Sequence, residues 1–416
     1  MNKRAEGIPS VAEIQGLYGP FSFSELLLQR IWSRCDFDES RAICRDGRKV
    51  RILFPGRWNR LGGPDFKDAR LQIGAELITG DVEIHLHERD WFLHHHASDS
   101  AYDRVVLHVV LFPEPEQTTL GAGERDIPLL VLLPLLNHDL EEYAADDAVE
   151  RLADHPLAKA HEKLTRLSPE ELHAQLTQHA QKRWDGKVRY AKIRIERLGW
   201  ENACHHTALE ILGYGYNRAP MLAVAGSLPL ERWQAESSRE NWPAEVFEQF
   251  RERWSLQAIR PANHPRVRLR QYAAWVGGNP NWPDQLTHFP QRFSPAGISD
   301  AILTGSFRKS HQLPVQLQEF SALVTTAISG PRLNTLICDG FLPLLAARNG
   351  GANLGGWWFA WPAGDVPEKF RGLLRELGVV DRQRPLSHGI LQGLLGWLVA
   401  ADQLRQSEAD STGRGA

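Results

Sequence analysis

At 416 residues, with 42% hydrophobic and 24% charged side chains, the chain is long enough for two or three globular cores. Its formal net charge of −3 excludes a polycation, so any contact with DNA or RNA must come from local basic patches. There is no apolar run of about 18 residues and no CxxC pair among the four cysteines. The expectation is a reduced, cytoplasmic protein with no membrane partner, no disulfide framework and no zinc ribbon.

Residues 1–20 read as an N-terminal arm that lacks the apolar segment of a secretory signal. Apolar spacing predicts a helix over 22–33, with Ser22 or Ser24 as its cap. KVRILFPG, DARLQIG and ELITGDVEIHLH then read as strands, and Gly56, Gly62, Gly63 and Gly74 read as turns. ERDWFLHHHASDSAYD fits a helix or an ordered loop. RVVLHVVLF and IPLLVLLPL are apolar runs of strand length, as in buried strands.

From residue 146 the texture is helical. Ser168-Pro169-Glu170-Glu171 combines a cap, a proline at the first helical position and a glutamate three residues after the cap. It predicts one helix ending near QKRWDG and a second from KVRYAKIRIERLGW. ENACHHTALEILGYG should stop at Gly213 or Gly215, and HGILQGLLGWLVAADQL is the last convincing helix. The fourteen tryptophans are read as large core fillers. The expected class is α+β: an α/β domain over 21–145, helical domains over 146–290 and 291–405, and a disordered tail over 406–416.

The chemistry concentrates in the first domain. Six of the seventeen histidines (His85, His87, His94, His95, His96, His108) fall within 24 residues, with Asp65, Asp68, Glu83, Asp90, Asp99 and Asp103 among or just before them. A solvated sheet edge with ordinary histidine hydrogen bonds is the plain alternative. Acidic residues, however, are depleted in strands and costly beside Val82 and Ile84 unless something pairs with them. A divalent cation is the sharper explanation. Asp65 and Glu83 would be catalytic metal ligands, Glu25 on the first helix would join them, and His85 would be a base or an extra ligand. His87, His94, His96, Asp99 and His108 would support these groups or form a second metal site. The carboxylates suit Mg²⁺ or Mn²⁺, and nitrogen ligation would shift the preference toward Mn²⁺, Fe²⁺ or Zn²⁺. His85-Leu86-His87 does not fit a cupin, because Trp91 stands where that motif needs an acid.

Pro64-Asp65, a gap of seventeen residues and Glu83-Ile84-His85 resemble the core of the PD-(D/E)xK nucleases, with His85 in place of the usual lysine. The predicted element order is similar to that restriction-endonuclease-like fold. The resemblance implies a metal-dependent nuclease domain in which the substituted lysine puts catalysis in question. GRWNRLGGPDFKDARLQI, GDVEIHLHERDW, HHHASDSAYDRVVLHVV, LGYGYNRAPM, RPANHPRVRLRQ and HGILQGLL also resemble the bacterial domain of unknown function 2851 family, which carries no established activity.

In the helical part, Arg183, Lys187, Arg189 and Arg194, interleaved with Trp184 and Tyr190, are candidates for a nucleic-acid surface, as are Arg266 and Arg268. The plain alternative is a solvated helix face paired with Glu196, Glu201 and Glu252. Three functions remain open on the sequence: a metal-dependent phosphodiesterase or nuclease, an inactive nuclease-like module that binds nucleic acid or protein, and a small-molecule metallohydrolase.

Overall fold

A computed structural model describes residues 25–59, 62–114, 119–137, 140, 143, 158–213, 217–256, 261–348, 353–364 and 368–413. The expected N-terminal arm and the caps Ser22 and Ser24 lie outside these residues. The chain divides into two compact units, Met1–Asp147 and Ala148–Ala416. The fold is mixed α+β, with an N-terminal mixed sheet followed by a mainly helical region.

The first unit opens with α1 (Glu25–Ser33), which buries Leu27, Leu28, Ile31 and Trp32 and packs on the sheet. The strands are β1 (Val50–Phe54), the two-residue β2 (Arg57–Trp58), β3 (Phe66–Ile73), β4 (Glu76–His87), β5 (Val105–Phe112) and β6 (Leu129–Val131). Their order is β1-β3-β4-β5-β6, with β2 also on β3. β3 pairs antiparallel with β1, β2 and β4, whereas β4–β5 and β5–β6 are parallel. β4 is therefore central, and β5 is buried along nearly its whole length, as its unbroken apolar run implies. A Cβ on Gly80 would lie 2.4 Å from Val106 Cγ1 and 2.7 Å from the Arg104 carbonyl oxygen. Only glycine lets the start of β5 approach β4 this closely.

Parallel β4 and β5 require a crossover. It is built from α2 (Asp90–Leu93) and two single 3₁₀ turns, His96–Ser98 and Ser100–Tyr102. Trp91, fully buried, pins it by donating to the Leu120 carbonyl at 3.0 Å. The strand expected over 127–135 is shorter than its apolar run. Pro134 has no N–H for the ladder, and Leu133–Leu135 turns into a 3₁₀ helix instead.

In the second unit, α3 (Pro169–Leu198) starts at the expected capping box: Glu171 N donates to Ser168 Oγ at 3.2 Å and Ser168 N to Glu171 Oε2 at 2.8 Å. The expected break near Gly186 is absent, and α3 is one helix of 30 residues. α4 (Trp200–Leu212) ends at Gly213, as its glycine implies. α5 (Gly330–Arg348) contains one π turn, Ile337–Phe341. α6 (His388–Gly413) continues into the segment expected to be disordered, where 406–411 hold neither proline nor glycine. One apolar cluster runs from Leu164 to Leu398, spanning both stretches that the sequence separates at 290. Trp233, Trp275, Trp282, Trp357, Trp358 and Trp361 are fully buried in it, as core fillers should be.

Candidate metal centre

The β3–β4 hairpin sets the carboxylates. Pairing of Phe66 with Val82 brings Asp65, just before β3, beside Glu83. Asp65 N donates to Glu83 Oε2 at 2.9 Å, and Ile84 N donates to Asp65 Oδ2 at 3.1 Å. Gln29 on α1 donates to Asp65 Oδ1 at 2.6 Å and accepts from Trp58 Nε1 at 3.2 Å. Glu25, one helical turn before Gln29, acts electrostatically on both Asp65 and Glu83.

Strand alternation puts His85 on the same face as Glu83, and the crossover brings His94 and His96 to it. His95 adopts the left-handed conformation (φ 56°, ψ 31°), which turns the chain between its two neighbours. His85 Nε2 then lies 3.3 Å from His94 Nδ1, 3.3 Å from His96 Nε2 and 3.5 Å from Glu83 Oε1. Glu83 Oε1 is 3.6 Å from His96 Nε2. Ligands roughly 2.0–2.1 Å from a tetrahedral metal stand roughly 3.3–3.4 Å apart. The three imidazoles therefore have the spacing of ligands around a first-row metal, and Glu83 is beside them. His85 and His96 are buried, whereas His94 is exposed and leaves the cluster open on its side.

Support extends outward from His85. Its Nδ1 lies 2.9 Å from Nε2 of the fully buried His108, whose Nδ1 lies 2.9 Å from Thr119 Oγ1. The His96 ring stacks on Tyr102 at 3.8 Å, with Trp91 edge-on at 5.2 Å. Asp99 caps the last crossover turn by accepting from Ala101 N at 2.9 Å, and its charge acts on His96. His87 is not brought to the cluster: its ring faces Phe112 at 5.2 Å.

The electrostatics follow from burial. Desolvation, and then the neighbouring Asp65, push Glu83 up to about 9. Desolvation pushes Asp65 up to about 7 against the hydrogen bonds from Ile84 and Gln29, and it raises Glu25 as well. Burial, then His96 and His94, lower His85 to about 3, while burial and then His94 lower His96 to about 4. His108 is held well below the usual imidazole range, chiefly by burial. Near neutrality, then, His85, His96 and His108 are uncharged imidazoles, the form that binds metals. Asp65 and Glu83 have no lysine or arginine partner among the described residues.

The helical-unit candidates are held differently. Arg183 donates to Gln392 Oε1 at 2.6 Å, and Lys187 is 2.9 Å from Asp339. Arg189 donates to the Tyr190 hydroxyl at 3.1 Å. Arg194 is 2.7 Å from Glu210, and Arg266 is 2.5 Å from Glu248. Arg268, 6% exposed, donates to Asn263 and Gln271. All six have partners within the chain, and Arg268 is interior. Sequence reasoning also passed over Gln29 and Thr119. The four-residue step from Glu25 could have pointed to Gln29, but no pattern marks Thr119.

A family model described as "Protein of unknown function (DUF2851)" matches residues 25–247, more than half of the chain. The chain belongs to that family. The match takes in the whole candidate centre and α3 and α4 of this DUF2851 protein. No curated protein and no solved structure matches the chain. Among the described residues of the DUF2851 chain, no helix is long and apolar enough to cross a membrane, and none of the four cysteines is in a disulfide.

Proposed function

We propose that the protein is a divalent-metal-dependent phosphodiesterase, a nuclease acting on DNA or RNA, centred on His85, His94, His96 and Glu83. The observation that carries this reading is the convergence of His85 Nε2 with His94 Nδ1, His96 Nε2 and Glu83 Oε1 at 3.3 to 3.5 Å. Three nitrogens favour Zn²⁺, Mn²⁺ or Fe²⁺ over Mg²⁺. His85 is then a ligand rather than a free base, since one ring nitrogen faces the cluster and the other faces His108. Asp65 and Glu25 lie on the carboxylate side, where a second cation would find oxygen donors. The nuclease reading draws on the order α1, β3, β4 and on Asp65, just before β3, beside Glu83 on β4, an arrangement that resembles the PD-(D/E)xK core.

When bound, a divalent cation supplies Lewis acidity toward the scissile phosphoryl group and lowers the pKa of water. The chain's own groups bind and orient. Glu83 Oε1, 3.5 Å from His85 Nε2 and 3.6 Å from His96 Nε2, would stand with the three imidazoles as an oxygen donor. Asp65 fixes Glu83 through its backbone N–H. Exposed His94 marks the side from which substrate enters.

One observation favours a second reading, hydrolysis of a small ester: the six basic side chains that would hold a polymer are engaged within the chain. The deciding experiment measures metal content and Zn²⁺ and Mn²⁺ affinity for wild type and Glu83→Ala. Hydrolysis of bis(p-nitrophenyl) phosphate, DNA and RNA is then assayed. Stoichiometric metal with polymer cleavage that Glu83→Ala abolishes supports the nuclease. Metal binding with turnover of the small ester alone selects the second reading. Polymer binding without turnover selects an inactive nuclease-like module, and absence of metal at millimolar concentration overturns the metal reading.

A further inference from the structure

His85, His108 and Thr119 form a buried line of hydrogen bonds with two self-consistent proton arrangements. In one, His85 Nδ1–H donates to His108 Nε2, and His108 Nδ1–H donates to Thr119 Oγ1. In the other, the Thr119 hydroxyl donates to His108, His108 donates to His85, and the His85 proton sits on Nε2. Both contacts are 2.9 Å, and none of the three residues is more than 1% exposed. A proton on Nε2 would face His94, His96 and Glu83 and block the lone pair that a cation needs.

We infer that His108 and Thr119 are positioning residues that hold His85 in its Nδ1–H tautomer, so that Nε2 presents a lone pair to the metal. The inference rests on the metal reading for its purpose but concerns the proton position on His85. No proton is gained or lost along the line; the three groups reorient together. The two arrangements of this buried line differ only in which ring nitrogen carries the proton. An outer partner of this kind typically changes metal affinity by about 10–100-fold.

The test is ¹⁵N NMR of histidine-labelled full-length protein, which separates the two imidazole tautomers, together with Zn²⁺ titration. Thr119→Val keeps the volume and removes the acceptor, whereas Thr119→Ser keeps the acceptor. His108→Phe removes the acceptor for His85, and His108→Gln restores one through its amide oxygen. The expected result is Nδ1–H on His85 in wild type, with a shift toward Nε2–H in Thr119→Val. Zn²⁺ affinity should fall about 10–100-fold in Thr119→Val and His108→Phe, with recovery in Thr119→Ser and His108→Gln. An unchanged tautomer and affinity in both Thr119→Val and His108→Phe would overturn the inference, as would Nε2–H on His85 in wild type. If wild type takes up no metal yet the tautomer shifts in Thr119→Val, the metal reading fails and the positioning role stands.

Discussion

Each unit sets carboxylate beside imidazole, but they resolve the cost differently. In the helical unit, the π turn of α5 presents Asp339 to Lys187 at 2.9 Å and to His388 at 3.7 Å. Burial acts to raise Asp339, yet Lys187 and then His388 hold it below the usual carboxylate range. In the sheet unit, Asp65 and Glu83 have no such cation among the described residues and are pushed up instead. The first cluster is electrically complete within its own chain. The second reaches balance by holding protons or, on the reading above, by taking a divalent cation.

The largest expected effect is at His85, whose Nε2 is near every other ligand atom. His85→Ala should weaken Zn²⁺ binding by at least about 100-fold, measured by titration, while far-ultraviolet circular dichroism stays that of the wild type. Retained affinity would mean that the imidazoles are packing groups, and the sheet cluster would then resemble the helical one.

Lys187→Met breaks the other side of the comparison. Asp339 keeps 26% side-chain exposure, so the cost should be about 2–3 kcal/mol, below the roughly 3–5 of a fully buried broken pair. Thermal unfolding measures it. Lys187→Met with Asp339→Leu should recover most of the loss, because no charge is then left uncompensated.

The pH dependence of the metal-free protein sharpens the contrast. Burial and then Asp65 raise Glu83 above its ordinary 4.5, toward about 9, so its contribution is complete below about pH 4.5 and fades as pH rises toward 9. His85 and His96 act in the opposite sense: their contribution is present above about pH 6.5 and is lost as pH falls toward 3 to 4. With chelator present, the melting temperature should therefore fall between pH 6.5 and pH 9. Glu83→Gln should flatten that fall, and Zn²⁺ should oppose it at pH 8, where its ligands shed protons readily. A fall that persists unchanged in Glu83→Gln would place its origin elsewhere.

Much of the sheet unit was legible because its signals are local. Alternation and apolar runs mark β3, β4 and β5, and the strand period alone puts Glu83 and His85 on one face. The convergence of His94 and His96 on His85 was not legible as geometry, since it depends on the left-handed turn at His95 and on Trp91 anchoring the crossover. Thr119 reaches His108 only because β5 and the segment before β6 run together. The pairing of the basic helix faces was not legible for a similar reason. The partners of Arg183 and Lys187 are Gln392 and Asp339, more than 150 residues away, and no periodicity reports such pairs.

The unbroken α3 gives the smallest test. A mid-helix glycine costs about 1 kcal/mol relative to alanine, which lowers propensity without ending a helix packed on both sides of it. Leu176, Ala180 and Trp184 before Gly186, and Ala191 after it, are buried in the same core, so packing outweighs the local preference. A Cβ at Gly186 would meet only Tyr190 Cε2, at 3.7 Å, an ordinary contact. Gly186→Ala should therefore stabilise the protein by about 0.5–1 kcal/mol, read as a rise in melting temperature of a degree or two. Destabilisation would mean that the chain does need a break at Gly186, with two helices where the structure has one.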